Sequence, residues 1–288
     1  MSDKPNLENI KKLREITGVG FKDCKIAIDE NNGDIEKSIE YLRKKGIAKA
    51  SKKMGRVAAD GLALIFEKDN SMSIIEINSE TDFVAKNSDF KNFCKEISEL
   101  NFINKSNIQN LKSSKMKNQK TVDENLIALI SKMGEKITLR RAKFFENNGL
   151  NYSYVHNSLE KNVGKVASIV QLSKNSKKDL KDLGSKLAMH IAAQSPLAID
   201  ESGINKDTLN KELEIIKAEL KNSGKKPDMI EKISSGKIKK FISDNTLLNQ
   251  IWIMDTKKKV NQVVKEYSDG EEIKVLDFAR FKVGEGID

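Results

Sequence analysis

One order of elements occurs twice in this chain and confines its fold: strand, strand, helix. In the first occurrence Leu62, Leu64 and Phe66 alternate with Ala63 and Ile65, and Glu67 to Asn70 supplies a polar turn. Ser73-Ile74-Ile75-Glu76-Ile77-Asn78 follows, a β-branched run bounded by polar residues. Phe90, Phe93, Cys94, Ile97 and Leu100 then recur at three- and four-residue spacing, one face of a helix. In the second occurrence Tyr152 to His156 and Val163 to Leu172 read as strands, and Leu180, Leu183, Leu187 and Ile191 share a helical face. Short strands joined by tight turns pair antiparallel. The fold class is therefore α+β: a two-part core of antiparallel sheets with packed helices.

The flanking segments are helical. Leu7, Ile10 and Leu13 share a face, and Thr17-Gly18-Val19-Gly20 breaks that helix. A second helix runs from about Phe21 through Cys24, Ala27 and Ile28 to Asn31-Asn32-Gly33, and Asp34 is placed to cap a third that carries Ile35, Ile39 and Leu42. Three short helices with a Gly-Val-Gly elbow resemble a ubiquitin-associated-type module. Lys44 to Arg56 reads as a basic, partly helical linker with solvated charges. Leu209, Leu213, Ile216 and Leu220 step by four, three and four, the spacing of a coiled-coil seam. Gly224-Lys225-Lys226-Pro227 turns the chain, so a protruding antiparallel helical hairpin is expected. Four parts result: a helical module and linker over 1–55, one core half over 56–145, the other over 146–202 and 247–288, and the inserted hairpin over 203–246.

Charge and cysteine usage narrow the function classes. Lys and Arg total 52 against 42 acids, a formal charge of +10. The arginines are Arg14, Arg43, Arg56, Arg140, Arg141 and Arg280, and every other basic residue is Lys. Base and phosphate recognition favours the Arg fork, so dispersed lysines read as solvated surface, and acidic protein partners fit through steering. Residues 105–120 hold five lysines and no acid. Only Ile108, Leu111 and Met116 can pack there, which suggests a mobile basic loop or frayed helix. Cys24 and Cys94 lie far apart and make no disulfide framework, as in a reducing cytosol. With His156 and His190 they lack ligand spacing, so neither a metal nor a cofactor is expected. The N-terminal residues have no signal core, and no apolar run approaches the roughly 20 residues of a membrane span. A soluble, cytoplasmic protein is expected, with no membrane contact.

The stretch Glu80-Thr81-Asp82-Phe83-Val84-Ala85-Lys86-Asn87 sits where the second strand gives way to the helix of Phe90. Loops held by rigid elements concentrate function. Two readings stand side by side. Phe83 plugs the local core while Asp82 or Ser88 caps the helix, or the acid, ring and amide gathered there serve recognition. The stretch resembles the TDFVA-N signature of the bacterial elongation factor Ts family. Other segments extend the resemblance over nearly the whole chain: Leu13-Arg14-x-x-Thr17-Gly18-x-Gly20-x-x-Asp23-Cys24-Lys25, Gly134-Glu135 with Ile137, Arg140 and Arg141, Ala188-Met189-His190 with Ala192 and Ala193, Gln250 to Ile253, and Val283-Gly284-Glu285-Gly286-Ile287.

The resemblance implies a non-enzymatic exchange factor for the translational GTPase elongation factor Tu. It would engage the GDP-bound and nucleotide-free forms, as a monomer in a heterodimer or in a dimer of heterodimers. It implies partner-binding roles for Thr81, Asp82, Phe83, Val84, Ala85 and Asn87, with Asp82 and Phe83 entering near the partner's magnesium site. Secondary contacts are implied for His190, Met189, Arg14, Gly18 and Gly20. His190 is placed by helical geometry at the flank of its apolar face. Many family members continue into a C-terminal helical module, so that contact is expected to be absent or replaced here. No nucleophile elbow, metal-histidine helix or phosphate loop appears. The alternative is a basic ribosome- or RNA-associated module using the 105–120 lysines and the hairpin, although direct nucleic-acid contact is not expected.

Overall fold

A strand such as Leu62 to Phe66, apolar on both sides, requires a sheet covered on both faces. The computed structural model describes residues 3–17, 19–174, 179–268 and 272–287. Its helices and strands are α1 (Asp3–Thr17), α2 (Phe21–Glu30), α3 (Ile35–Lys53), β1 (Asp60–Lys68), β2 (Ser71–Ser79), α4 (Asp82–Lys86), α5 (Ser88–Ile103), α6 (Ile108–Ser113), α7 (Val122–Met133) and β3 (Ile137–Phe145). There follow β4 (Leu150–His156), β5 (Val163–Gly164), β6 (Val166–Leu172), α8 (Lys181–Gln194), α9 (Lys206–Asn222), α10 (Pro227–Asn245), α11 (Val260–Tyr267) and β7 (Val275–Lys282). One antiparallel sheet has the order β3-β2-β1-β5 and the other β4-β6-β7. The β1–β2 turn passes through Asp69 and Asn70, both with positive φ, which suits the twist of a tight hairpin.

The core is layered helix, sheet, sheet, helix. Leu62, Leu64, Ile75 and Ile77 face α5 and α7. The alternate residues Ala63, Ile65, Met72 and Ile74 meet Ala167, Ile169, Ala279 and Phe281 of the second sheet. Beyond that sheet Val170 and Leu172 pack on Leu183, Leu187 and Ile191 of α8 and on Val260, Val263 and Val264 of α11. The period of two along each strand thus feeds two different cores.

Three segments differ from the sequence reading. The run Val163 to Leu172 is not one strand: it changes sheets at Lys165, whose ammonium bonds Asp60 and, at 2.9 Å, the Gly61 carbonyl. Gly164 permits the crossing, since a Cβ there would sit 2.8 Å from the His156 carbonyl oxygen. The basic linker is the continuation of α3, and Ala50 on it is buried in the first core while Gly46 lies over Ile127 and Ser131 of α7. Small residues at four-residue spacing let that helix dock. Residues 105–120 are ordered, because Leu111 and Met116 are buried and Ile108 packs against the same core.

The hairpin follows the seam: Ile216 and Leu220 are buried between α9 and α10, with Pro227 opening the return helix. The N-terminal helices enclose their own small core of Ile10, Leu13, Cys24, Ala27, Ile28 and Leu42. Because that core ends before Gly46, we predict that removing residues 1–43 leaves the melting temperature of the remainder within about 2 °C. Removing 1–53 strips Ala50 from the first core and lowers it by roughly 4 °C or more. Calorimetry that found the two truncations equal would contradict this division.

Candidate functional site

β2 delivers the chain to the site. Ser79 donates its hydroxyl to the Thr81 carbonyl at 3.0 Å, Thr81 is extended, and α4 makes a little over one turn from Asp82. Val84 and Ala85 are buried in the first core. At 3.6 residues per turn, Phe83 lies about 150° from their mean direction. It accordingly points to solvent and is 80% exposed. Of the two readings of this stretch, the core plug is excluded by that exposure. Asp82 pairs with Lys86 at 2.6 Å, and this bond holds the Asp82 carboxyl below the usual carboxylate range. A half-exposed negative charge therefore stands next to the exposed ring.

The helix after the turn is capped by neither Asp82 nor Ser88. Asn87 ends α4 in extended conformation and its side-chain oxygen accepts from the Asp89 and Phe90 amides at 2.8 and 3.4 Å. Phe90 is fully buried, so the exit from the loop is fixed.

The entry is fixed by Glu80 and Glu135, to which the sequence reading assigns no role of their own. Glu135 takes the Thr81 hydroxyl at 2.6 Å and the Thr81 amide at 3.0 Å. Glu80 in turn accepts from the Lys136 amide at 2.6 Å and from Arg56 at 3.3 Å. The available signal was the Gly134-Glu135 pair: Gly134 ends α7 in the left-handed region, so the acid after it belongs to no helix.

The remaining expected residues lie elsewhere. Arg14 and Gly20 are exposed in the N-terminal module, where Asp23 near Gly20 pairs with Lys45 and Lys49 of α3, and Gly18 falls outside the described residues. Met189 is half-buried on α8. His190 stands at the flank of the apolar face of α8, as its helix places it, and is nonetheless fully buried. Its ring stacks on Trp252 at 5.2 Å and its Nε2 meets the Gln250 side chain at 3.0 Å, so residues some sixty positions later close over it. Burial lowers its pKa, against the opposing effect of Gln250. The structure thus brings together Thr81 to Asn87, and does not join them to Arg14, Gly20 or His190.

Among the described residues, no group of three His, Cys, Asp or Glu side chains is placed to hold a metal ion. No described helix is long and apolar enough to cross a membrane. Cys24 and Cys94 are buried free thiols, and burial pushes both pKa values up.

Comparison with known proteins places this loop in a family. The family model described as "Elongation factor TS" matches residues 80–285, beginning at the loop itself. The chain is 42% identical to elongation factor Ts of Rickettsia akari over 97% of its own length and 92% of that protein's. Over the same shares it is 41% identical to elongation factor Ts of Nitrobacter hamburgensis and 42% identical to that of Xanthobacter autotrophicus. With both chains covered almost end to end at this identity, the chain belongs to the elongation factor Ts family of translation elongation factors.

Proposed function

We propose that the protein is a guanine nucleotide exchange factor for elongation factor Tu, acting without chemistry of its own. The observation that carries this is Phe83: an aromatic side chain 80% exposed on a turn fixed at both ends. An exposed ring held by its own protein is organised for a partner, since aromatic anchors dominate interfaces. The partner binds better without nucleotide, and linkage requires that GDP be weakened by the same factor. Phe83 wedges apart elements beside the nucleotide. Asp82 exchanges Lys86 for groups around the partner's Mg²⁺, and because that ion bridges phosphate oxygens its disturbance loosens GDP. Val84 and Ala85 are the buried footing of the turn, and Asn87 is its exit cap. The complex is a heterodimer formed with the GDP-bound partner and retained by the nucleotide-free one.

The basic segment favours no second reading. Lys105 is paired with Glu146 at 3.0 Å, and Leu111 and Met116 of that segment are buried in the first core. The expected result is faster release of labelled GDP from elongation factor Tu on stoichiometric addition, with no hydrolysis by the protein alone. A stopped-flow trace that the protein leaves unchanged would sink the proposal.

A further inference from the structure

A five-residue helix has no stability of its own, because nucleation costs more than one turn returns. The direction in which α4 presents Phe83 is therefore set by what holds its ends. The C-terminal end is held by Asn87 and by buried Phe90. At the N-terminal end Thr81 makes no capping bond within α4. Both of its donors go instead to one carboxylate, Glu135, across a separation of 54 residues.

That carboxylate is itself anchored. Gly134 precedes it, and the Gly134 carbonyl accepts from Lys53 at the end of α3. Lys136 follows it: its amide donates to Glu80 at 2.6 Å and its ammonium to the Arg56 carbonyl at 2.8 Å. Glu80 and Glu135 each bond the residue that follows the other, so the two chains are cross-clasped. A bidentate charged acceptor fixes orientation as well as distance.

We propose that Glu135 is a positioning residue for nucleotide release: by holding the amide and hydroxyl of Thr81 it aims the turn that carries Phe83. This rests on the exchange-factor reading above. Glu135 acts through Thr81 and not on the partner. Without it the entry to α4 loses both charge-assisted bonds, and the ring samples directions that miss the partner's cleft.

The test is a double-mutant cycle read by GDP release from elongation factor Tu, with hydrogen exchange at the Thr81 amide followed in the same proteins. Glu135→Ala slows stimulated release roughly ten-fold, the size expected for losing a bond to a charged group. It also deprotects the Thr81 amide. In a Phe83→Ala background the same substitution changes release by less than about two-fold, because the ring it aims is gone. Glu135→Gln keeps a carbonyl acceptor for the amide and recovers part of the loss. If Glu135→Ala lowers the melting temperature too far for comparison, Thr81→Val, which removes only the hydroxyl donor, gives a smaller loss that also vanishes in the Phe83→Ala background. Losses that multiply with Phe83→Ala overturn the proposal, since Glu135 then touches the partner itself. Unchanged release with a deprotected Thr81 amide overturns it as well. Failure of the unaltered protein to speed release is a separate result, seen before any variant is compared, and removes the exchange reading instead.

Discussion

In the Phe83→Ala protein the fold is expected to survive and the exchange activity to fall steeply. The ring is 80% exposed while Val84 and Ala85 beside it are buried, so the truncation opens no cavity. Stability should change by no more than about 0.5 kcal/mol, whereas a ring filling its own core would cost about 3–5 kcal/mol. An aromatic anchor at an interface carries about 2–4 kcal/mol, roughly 30- to 700-fold in an equilibrium. GDP release stimulated by the variant should slow over that range. Asp82→Asn keeps shape and removes only charge, so its loss is smaller, and the two adjoining changes should not simply add. A large fall in melting temperature with normal release per folded molecule would show that the ring serves the protein's own core after all.

Much of this site was legible in the sequence, and what was not has definite physical causes. The strand ending before Glu80 follows from a β-branched run bounded by polar residues, and the helix face beginning at Phe90 from its three- and four-residue spacing. The direction of Phe83 does not. Val84 and Ala85 are also apolar, and one turn is too short for a period to show which of the three faces inward. Lys165 could not be recognised as the crossing between sheets, because Val163 to Leu172 is apolar on either side of it and a strand buried on both faces carries no alternation to break. His190 was placed at a flank because its own helix leaves it there, and only Trp252 and Gln250, from another element, complete the enclosure. Glu135 and Thr81 show the same limit: each is polar and locally ordinary, and their relation exists only once β2 and the start of β3 lie side by side.

Glu76 carries that limit furthest and gives the second large expected effect. In the sequence it is the single acid in a β-branched strand, as a solvent-facing residue would be. In the structure it is fully buried. It shares with Met72 and Ile74 the face of β2 that meets the second sheet, and a β-bulge lies opposite it: Glu76 pairs with Arg141 and Ile77 with Leu139, leaving Arg140 as the extra residue. In a regular strand Arg140 and Arg141 would point to opposite faces, and the bulge lets both reach one carboxylate, at 2.9 and 2.6 Å. The Gly284 amide and the Asn78 side chain complete it at 2.9 and 3.0 Å. Arg140 and Arg141 also donate to the Glu285 and Lys282 carbonyls, so Glu76 ties the end of β7 to the first sheet. Burial alone would raise its pKa, but the Gly284 amide, Asn78 and the two arginines outweigh burial and hold it below the usual range. A depressed carboxylate contributes stability that is fully present above its unfolded pKa, about 4.3, and is lost as pH falls through the lower folded value. Breaking a buried pair from one side costs about 3–5 kcal/mol. The arginines are 23% and 32% exposed and can partly recover water, which favours the lower end. Glu76→Gln should therefore lower the melting temperature by roughly 6–12 °C at pH 7, at about 2–4 °C per kcal/mol for a protein of this size. Below pH 4 the gap to the unaltered protein should narrow, because the unaltered carboxylate is then being protonated. A variant melting within about 2 °C of the unaltered protein at pH 7, or a gap that widens in acid, would show that this buried charge does not hold the two sheets together.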